Sequence, residues 1–307
     1  MSKSAYIGID LGGTNIKFGL VDARARIITR GAIATADSRR RILAQFAAIA
    51  AELHAVARAG GYTVRTIGVG SPGIVDIRRG KVVGGSPNVV QWRGTDIRRS
   101  LESVTGMRVY ADNDANVMAL AEHRYGAGKG YSTGLYITVG TGLGSGIILN
   151  NQIWRGARYA GAEVGHSIIN LDGLPCQCGK RGCLEVYVNA ASFARFYGKP
   201  VPRGAGSKFI FDRARAGDRK AINAIRTSAN YLAIGLGSAV EILNPEIIVI
   251  GGGVAAGGRL YFDAIRSGIR RYASAAQLKA LKILPAQLGN DAGFLGAALL
   301  PLEPEFQ

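Results

Sequence analysis

Residues 6–22 read Y-I-G-I-D-L-G-G-T-N-I-K-F-G-L-V-D, and this stretch decides the fold. Apolar and β-branched residues flank Gly12-Gly13 on both sides, which predicts a strand, a glycine turn and a second strand. Residues 134–149, G-L-Y-I-T-V-G-T-G-L-G-S-G-I-I-L, repeat that plan. Two such hairpins predict two related lobes that face each other across a cleft.

Helices and strands alternate through the rest of the chain. A helix is predicted over 38–59, because it starts near Asp37-Ser38 and stops at Gly60-Gly61. The other predicted elements are a buried strand over 64–70 ending in G-S-P-G, a helix from Thr95 to Gly106, a strand over 107–111, a helix opening near Asn113 and Asp114, a helix over 218–243 ending at Asn244-Pro245, the strand E-I-I-V-I before Gly251-Gly252-Gly253, and a helix over 291–302. We expect an α/β fold with a small lobe, 1–112 plus 291–307, and a large lobe, 113–290.

Composition is that of a globular protein. With 307 residues, 48% apolar content and 44 glycines, the chain can bury a full core and make many tight turns. We expect no membrane span, because glycine breaks the most apolar runs within about ten residues. The first residues, M-S-K-S-A-Y, enter a strand without an apolar signal region. These features predict a cytoplasmic protein with reduced thiols and no membrane partner.

The formal net charge of +17 is unusual for a metabolic enzyme and is the main support for nucleic-acid binding. The basic residues are dispersed, however, and the densest run is Arg39, Arg40 and Arg41 at the start of a predicted helix. Aromatic content is 7%, and no helix-turn-helix segment precedes the first strand. Most of this charge is interpreted as solvated surface, so no nucleic-acid partner is expected, and anionic substrates remain a second explanation.

All three cysteines, Cys176, Cys178 and Cys183, lie within eight residues, and His166 stands ten residues upstream. The spacing H-x9-C-x-C-x4-C predicts a closed tetrahedral zinc site. Two readings stay open beside it: free cysteines as small buried side chains, or a disulfide between two of them. Since all four ligands come from the protein, the zinc is expected to be structural rather than to activate water.

The glycine turns carry an argument for phosphate binding. A turn of Gly12, Gly13 and Thr14 points backbone N–H groups and a hydroxyl into the cleft, and glycine allows an oxyanion to approach closely. Asp10, at the end of the preceding strand, is placed to hold Mg²⁺ through water. Alone, D-x-G-G-T is explained equally well by a hairpin that needs glycine. The facing G-T-G-L-G at 140–144 favours a polyphosphate clamp, and Gly251-Gly252-Gly253 has room for an adenosine.

These segments together resemble the ROK family of sugar kinases and related repressors, within the actin-like ATPase superfamily. The resemblance covers nearly the whole chain. It is carried by D-L-G-G-T-N at 10–15, S-P-N at 86–88, N-D-A-N at 113–116, G-T-G-L-G, E-V-G-H at 163–166, C-Q-C-G-K-R-G-C-L-E at 176–185 and N-P-E-I-I-V-I-G-G-G-V at 244–254. It implies two ribonuclease H-like lobes that close on ATP and a sugar.

The resemblance also implies residue roles. Asp114 matches the general base that takes the proton of the sugar hydroxyl; we expect it to stay ionised at a helix N-terminus, and an ordinary N-cap is the alternative. Sugar ligands are implied at Gly73, Asn88, Asn113, Asp114, Glu163, His166 and Glu185, for which surface or capping polarity is the alternative. Nucleotide contacts are implied at Asp10, Gly12, Gly13, Thr14, Thr141, Gly142, Gly252 and Gly253.

Two residues need separate interpretation. His166 is expected to bind zinc through one ring nitrogen and to donate to a sugar hydroxyl through the other. Strand alternation places Lys17 on the side of Asn15 rather than of Thr14 or Asp10, so it ranks as a weaker phosphate contact, with a solvated lysine as the alternative.

The resulting prediction is an ATP-dependent hexose kinase that acts on glucose and uses Mg²⁺ and structural Zn²⁺. Alternatives are a kinase for mannose, fructose, N-acetylglucosamine or N-acetylmannosamine, or a glucokinase that uses polyphosphate. A sugar-responsive repressor is disfavoured, because only nine residues precede Asp10, too few for a DNA-binding domain. The resemblance also implies a homodimer.

Overall fold

The computed structural model describes residues 3–85, 89, 91–202 and 205–306. The strands are β1 (Lys3–Leu11), β2 (Asn15–Asp22), β3 (Ile27–Ala34), β4 (Tyr62–Ser71), β5 (Val75–Asp76), β6 (Lys81–Val82), β7 (Arg108–Asn113), β8 (Gly134–Val139), β9 (Leu143–Leu149), β10 (Gln152–Trp154), β11 (Ile247–Gly251) and β12 (Lys282–Pro285). The helices are α1 (Arg39–Ala59), α2 (Ile97–Thr105), α3 (Asp114–Tyr125), α4 (Glu185–Val188), α5 (Ala190–Tyr197), α6 (Gly206–Arg215), α7 (Arg219–Leu243), α8 (Gly258–Ile269), α9 (Ala275–Leu278) and α10 (Ala292–Leu299).

Two five-stranded sheets follow one plan. The strand order is β3-β2-β1-β4-β7 in the first sheet and β10-β9-β8-β11-β12 in the second. Each sheet starts with an antiparallel hairpin, β1–β2 or β8–β9. Parallel strands then extend each sheet from the first strand of its hairpin. This repetition confirms the predicted α/β fold class with two related halves.

The predicted helices and strands are present with small shifts at their ends. α7 stops where predicted, since Asn244 has a left-handed φ of 43° and Pro245 follows. The last predicted helix is shorter than expected: α10 ends at Leu299, and residues 300–302 form a single 3₁₀ turn that contains Pro301. The predicted lobe boundaries stay a prediction.

α1 lies on the first sheet and corrects one expectation. Among the described residues it is the one helix that is long and apolar enough, by length and composition alone, to cross a membrane. No glycine interrupts it, so the sequence argument from glycine breaks was wrong for this segment. Its apolar residues form one stripe, and Ile42, Phe46 and Leu53 are buried in the core cluster of the first sheet. A helix that packs an apolar stripe on a protein core can have the same length and apolar composition as a membrane span.

Two helices, α3 and α10, pack against each other between the sheets. α3 follows the last strand of the first sheet but lies on β8 and β9, while α10 lies on β1 and β4. Glycines allow this close packing, since a methyl group at Gly8 would overlap the carbonyl of Phe294 and one at Gly296 would overlap that of Val117. The start of α3 is thereby fixed where the two sheets meet.

Candidate functional site

A cavity of about 670 Å³ opens where β7 passes into α3 and the turn between β8 and β9 approaches. Its walls come from several distant parts of the chain. The predicted residues that line it are Gly73, Asn113, Asp114, Thr141, Gly142, Glu163, His166, Cys178 and Glu185. Thr141 and Gly142, expected at the nucleotide, thus line the same cavity as the residues expected at the sugar.

A second cavity, of about 480 Å³, lies on the other side of Asp114. Asp114 and Thr138 line both cavities. The predicted residues that line the second one are Asp10, Gly12, Lys17, Asp114, Gly252 and Gly253. Gly13 and Thr14 stand exposed at the tip of the β1–β2 turn and do not line either cavity. The carboxylate of Asp114 therefore stands at the boundary between two spaces of ligand size.

Asp114 is the first residue of α3, and its environment differs from what the sequence predicted. Burial, together with the nearby Asp10 and Glu163, raises the pKa of its carboxyl to about 7, while the N–H of Ala115 opposes the shift. The expectation that a helix N-terminus keeps Asp114 fully ionised was wrong, because burial and two neighbouring acids outweigh the dipole. A carboxyl with a pKa near neutrality suits a general base.

Asn113, not Asp114, caps the helix. Its Oδ1 accepts hydrogen bonds from the N–H groups of Ala115, at 2.9 Å, and Asn116, at 3.2 Å. Its Nδ2 donates to the carbonyl of Gly73 at 3.1 Å. Gly73 has a φ of 89°, and a methyl group there would come 2.7 Å from the carbonyl oxygen of Gly84. Asp114 is therefore the first residue of the helix and not its N-cap, although its Oδ1 also accepts the N–H of Ala115 at 2.8 Å.

Asp10 presents a second, half-buried carboxylate. Burial raises its pKa to about 6, and the ammonium of Lys17 opposes the shift. Among the described residues no hydrogen bond or ion pair reaches this carboxylate, and a methyl group at Gly293 would overlap it. An unpaired, half-buried carboxylate beside a cavity fits a site for a hard cation.

Lys17 lies opposite Asp10 across the β1–β2 hairpin. The sequence argument that separated the two was wrong, because directly paired residues on adjacent strands project to the same face of the sheet. Alternation along one strand does not show which of its residues share a face with residues of the next strand, because that depends on the register of pairing. The Lys17 ammonium donates to Asn290 Oδ1 at 2.9 Å and lines the second cavity.

The two glycine turns have different supports. Gly12 donates its N–H to the carbonyl of Asn15 at 3.0 Å and accepts from the Thr35 hydroxyl at 2.7 Å. In the second sheet, Gly140 accepts from the N–H of Ala190 at 2.8 Å, and the Leu143 N–H donates to Glu185 Oε2 at 2.9 Å. The second turn is therefore bonded to the first residue of α4, and the first turn is bonded to Thr35, the residue that follows β3.

Gly252 closes the second cavity at the end of β11. Its φ of 80° is left-handed, and a methyl group there would overlap the backbone of Val139. Gly253 follows it and begins a 3₁₀ turn, Gly253–Gly257, ahead of α8. Only glycine fits at position 252, so the backbone and not a side chain faces the second cavity there.

Glu163, Glu185 and His166 surround the far end of the first cavity. Burial raises the pKa of Glu163, His166 opposes the shift, and Glu185 raises the pKa further. Glu185 is buried, with Oε1 accepting from the Gln177 amide at 3.4 Å. These groups offer several acceptors and donors to a polyhydroxyl ligand.

His166 and the three cysteines form one cluster. One ligand atom from each lies within 4.8 Å of the others, and the cysteines are free thiols. The sulfurs of Cys178 and Cys183 are 3.6 Å apart, and His166 Nδ1 is 3.8 Å from the sulfur of Cys176. Bonds of about 2.3 Å to a tetrahedral zinc put sulfurs about 3.8 Å apart, so the donor set and its spacing fit this metal. The disulfide alternative does not hold in this structure.

Some residues fall outside these groups. Asn88 lies outside the described residues. Sequence reasoning missed Thr138, which lines both cavities, and Gln177 and Tyr159, which line the first. Thr138 occupies the place in the second hairpin that Asp10 has in the first, two residues before the turn glycine, so aligning the two hairpins would have found it. For Gln177 and Tyr159 the sequence carries no signal beyond their nearness to the cysteines and Glu163.

Comparison with known proteins places the chain. Residues 6–303 match the ROK family. The chain belongs to the ROK family. Its structure superposes with a TM-score of 0.84 on a ROK family glucokinase from Streptomyces griseus in complex with glucose and AMPPNP, 34% identical over 96% of this chain and 98% of that one. A ROK hexokinase from Thermus thermophilus is 36% identical, with a TM-score of 0.82, over 96% and 97% of the two chains.

Sequence comparison gives the same picture. A glucokinase of Thermotoga maritima is 32% identical over 97% of each chain. The ROK assignment and the actin-like ATPase fold with two sheets confirm what the motifs predicted from the sequence.

Proposed function

We propose that this ROK protein is a sugar kinase that transfers the γ-phosphoryl group of ATP to the 6-hydroxyl of glucose. The observation that carries the proposal is the place of Asp114, on the wall shared by two cavities. Similarity over nearly the full chain to glucokinases supports the choice of reaction and of glucose. One cavity then holds the sugar, the other holds the nucleotide, and the base lies where the two substrates meet.

Asp114 acts as the general base in this proposal. It accepts the proton of the sugar hydroxyl as that oxygen attacks the γ-phosphorus. Catalysis in such a transfer is positioning plus electrostatic stabilisation, and closure of the lobes excludes the water that would otherwise hydrolyse ATP. The sugar is held by residues of the first cavity, Gly73, Asn113, Glu163, His166 and Glu185. Asn88, outside the described residues, is a further sugar ligand that the resemblance implies.

The second cavity takes the nucleotide. Gly12, Gly252 and Gly253 bring backbone close to it, and Gly13, Thr14, Thr141 and Gly142 approach as the lobes close. Lys17, beside Asp10, supplies a positive charge for the phosphates. Asp10 would hold Mg²⁺ through water, and the ion would neutralise negative charge on the phosphates.

Zinc has a structural part in the proposal. His166, Cys176, Cys178 and Cys183 would hold it, and the chain leaves no ligand place for water. Zinc would act on the reaction indirectly, by holding the loop in place. It would fix His166, and Cys183 stands two residues before Glu185. The metal therefore braces the segment that presents Glu163, His166 and Glu185 to the sugar. The homodimer and the cytoplasmic location implied by the resemblance stay predictions.

A coupled kinase assay tests the function. Purified protein is given glucose, mannose, fructose, N-acetylglucosamine or N-acetylmannosamine, each with MgATP and with polyphosphate. We expect the highest kcat/KM for glucose with ATP. Faster turnover of another sugar would move the substrate within the same reaction class, and a preference for polyphosphate would move the donor. Absence of transfer to every sugar would contradict the proposal.

A further inference from the structure

Arg155 is a buried cation outside both cavities. It follows β10 directly, and only 3% of its side chain is exposed. Its Nε donates to Oδ2 of Asp112 at 2.8 Å, its Nη2 forms an ion pair with the same oxygen at 2.8 Å without hydrogen-bond geometry, and its Nη1 pairs with Glu305. The guanidinium also lies over the ring of Phe306, 5.6 Å from its centroid. A cation this buried is held by paired charges and has little freedom to move.

Asp112 connects Arg155 to the start of α3. While Oδ2 receives Arg155, Oδ1 accepts the N–H of Asn113 at 2.7 Å and the side-chain amide of Asn116 at 3.1 Å. Asn113 is the cap of the helix and the residue before Asp114. Both oxygens of Asp112 are therefore committed, and they hold the turn that orients the proposed base.

The backbone of Arg155 holds the other side of the sugar cavity. Its carbonyl accepts the N–H of Gly161 at 2.8 Å, which closes the loop 156–161. This loop carries Tyr159, with a left-handed φ of 61°, to the cavity wall. Glu163 lies two residues after the closing bond. One residue thus bonds to the segment before Asp114 by its side chain and to the segment before Glu163 by its main chain.

We propose that Arg155, through Asp112 and Gly161, is a positioning residue that sets the place of Asp114 relative to the loop that presents Glu163. It touches no substrate. This inference rests on the proposed function, since the separation matters only if both side chains act on one sugar. Asp112 links Arg155 to Asp114 through its hydrogen bonds with Asn113 and Asn116. Glu305 balances the charge of the buried guanidinium.

The test compares Arg155 variants with a matched control. Arg155→Gln removes the charge, the ion pair and the Nε hydrogen bond to Asp112, and Arg155→Lys keeps the charge but not the planar guanidinium. Arg124→Gln is the control, because Arg124 pairs with Glu303 at 3.1 Å in the same segment as Glu305 but does not contact Asp112. Thermal midpoints of all variants are measured first, so that loss of folding is separated from loss of rate.

We expect Arg155→Gln to lower kcat by about 10²-fold, since small misplacements at a reacting centre have effects of this size. The KM for glucose should rise a few-fold, the KM for ATP should stay unchanged, and added guanidinium ion should restore kcat at least about tenfold. Arg155→Lys should lose about tenfold in kcat. Arg124→Gln should keep kcat within about twofold even where its thermal midpoint falls.

Amide hydrogen exchange gives a readout that does not depend on activity. The N–H groups of Asn113, Asn116 and Gly161 should exchange faster in Arg155→Gln than in wild type, and should be unchanged in Arg124→Gln. Unchanged exchange and kcat in Arg155→Gln would overturn the inference, as would an equal loss of kcat in Arg124→Gln. If the wild-type protein phosphorylates no sugar, the proposed function fails, and the exchange rates still decide whether Arg155 holds these two segments.

Discussion

The two glycine hairpins share a scaffold and differ in chemistry. Asp10 stands two residues before the first turn and faces Lys17, while Thr138 stands at the same place in the second hairpin and faces Gly144. The first hairpin thus brings a carboxylate and an ammonium to its cavity, whereas the second brings a hydroxyl opposite a glycine that has no side chain. A repeated fold fixes where side chains emerge, and the residue at that place sets what each half binds.

The supports of the two turns differ as well. The β1–β2 turn accepts a hydrogen bond from Thr35, the residue directly after β3 of the same sheet. The β8–β9 turn is fastened by Glu185, which also receives the Gln177 amide from the cysteine loop. Changes in the second turn should therefore reach the sugar residues, and changes in the first should not.

The largest effect is expected at the boundary between the halves. Asp114→Asn should lower phosphoryl transfer by about 10³-fold or more, because the amide accepts no proton, while glucose affinity stays within about tenfold. Steady-state rates and calorimetric binding of glucose measure the two quantities. Thr138→Val, on the same boundary, is the control and should lose less than about tenfold. Turnover retained in Asp114→Asn would refute the assignment of the base.

The metal cluster should come next. Cys178→Ala should remove bound zinc and weaken glucose binding by about 10²-fold, since the loop that carries His166 and Glu185 loses its brace. Metal analysis and glucose titration are carried out on the same preparation. Asp172→Ala, an exposed change in the same loop, should alter neither. Normal glucose binding by the metal-free variant would show that zinc has no part in positioning.

The pH dependence of stability should distinguish Asp114 and Asp10, whose pKa values are raised, from ordinary surface carboxyls. The pKa of Asp114 is raised to about 7 and that of Asp10 to about 6. Because these pKa values lie above the unfolded values, the folded protein binds more protons between about pH 4 and 7, and stability is lost as the pH rises through that window. Asp114→Asn should stabilise the protein by on the order of 2 kcal/mol at pH 8 and by less at pH 5.

Urea unfolding without divalent cations measures this difference. Addition of Mg²⁺ should lower both pKa values and reduce the stability gained by Asp114→Asn, since a cation beside Asp10 favours the ionised carboxylates. An equal gain at pH 5 and pH 8 would mean that packing, not ionisation, causes it.

The smallest effect is expected to distinguish Gly140 from Gly142 in the second turn. A methyl group at Gly142 would come 2.6 Å from Oε2 of Glu185, whereas one at Gly140 meets nothing within 4 Å. Gly142→Ala should therefore displace that carboxylate and raise the KM for glucose about tenfold, while Gly140→Ala should leave it unchanged. Gly12→Ala in the first turn should raise the KM for ATP and not that for glucose. Equal effects on both substrates would show that the turns are not specialised.

Much of the fold was predictable from the sequence. Hairpins centred on Gly12-Gly13 and on 140–144, the span of α1 and the end of α7 at Asn244-Pro245 all follow from local rules, because turn glycines, caps and apolar periodicity act within a few residues. The cluster of His166 with the cysteines was predictable for the same reason: its ligands are close in sequence.

Other features needed the folded chain. The pKa of Asp114 depends on Asp10 and Glu163, which lie far from it in sequence, and the facing of Lys17 toward Asp10 depends on the strand register. The contact of Arg155 with Asp112 likewise joins segments 43 residues apart. No local pattern encodes such pairs.

The sequence by itself determined the family, the two hairpins, the cysteine cluster and the candidate residues for the chemistry, since each lies in a short motif. Tertiary structure decided which of those residues share a wall, how far burial shifts their protonation, and what holds them in place. The physical reason is that desolvation, charge coupling and strand pairing act through space, between groups that only the fold brings together.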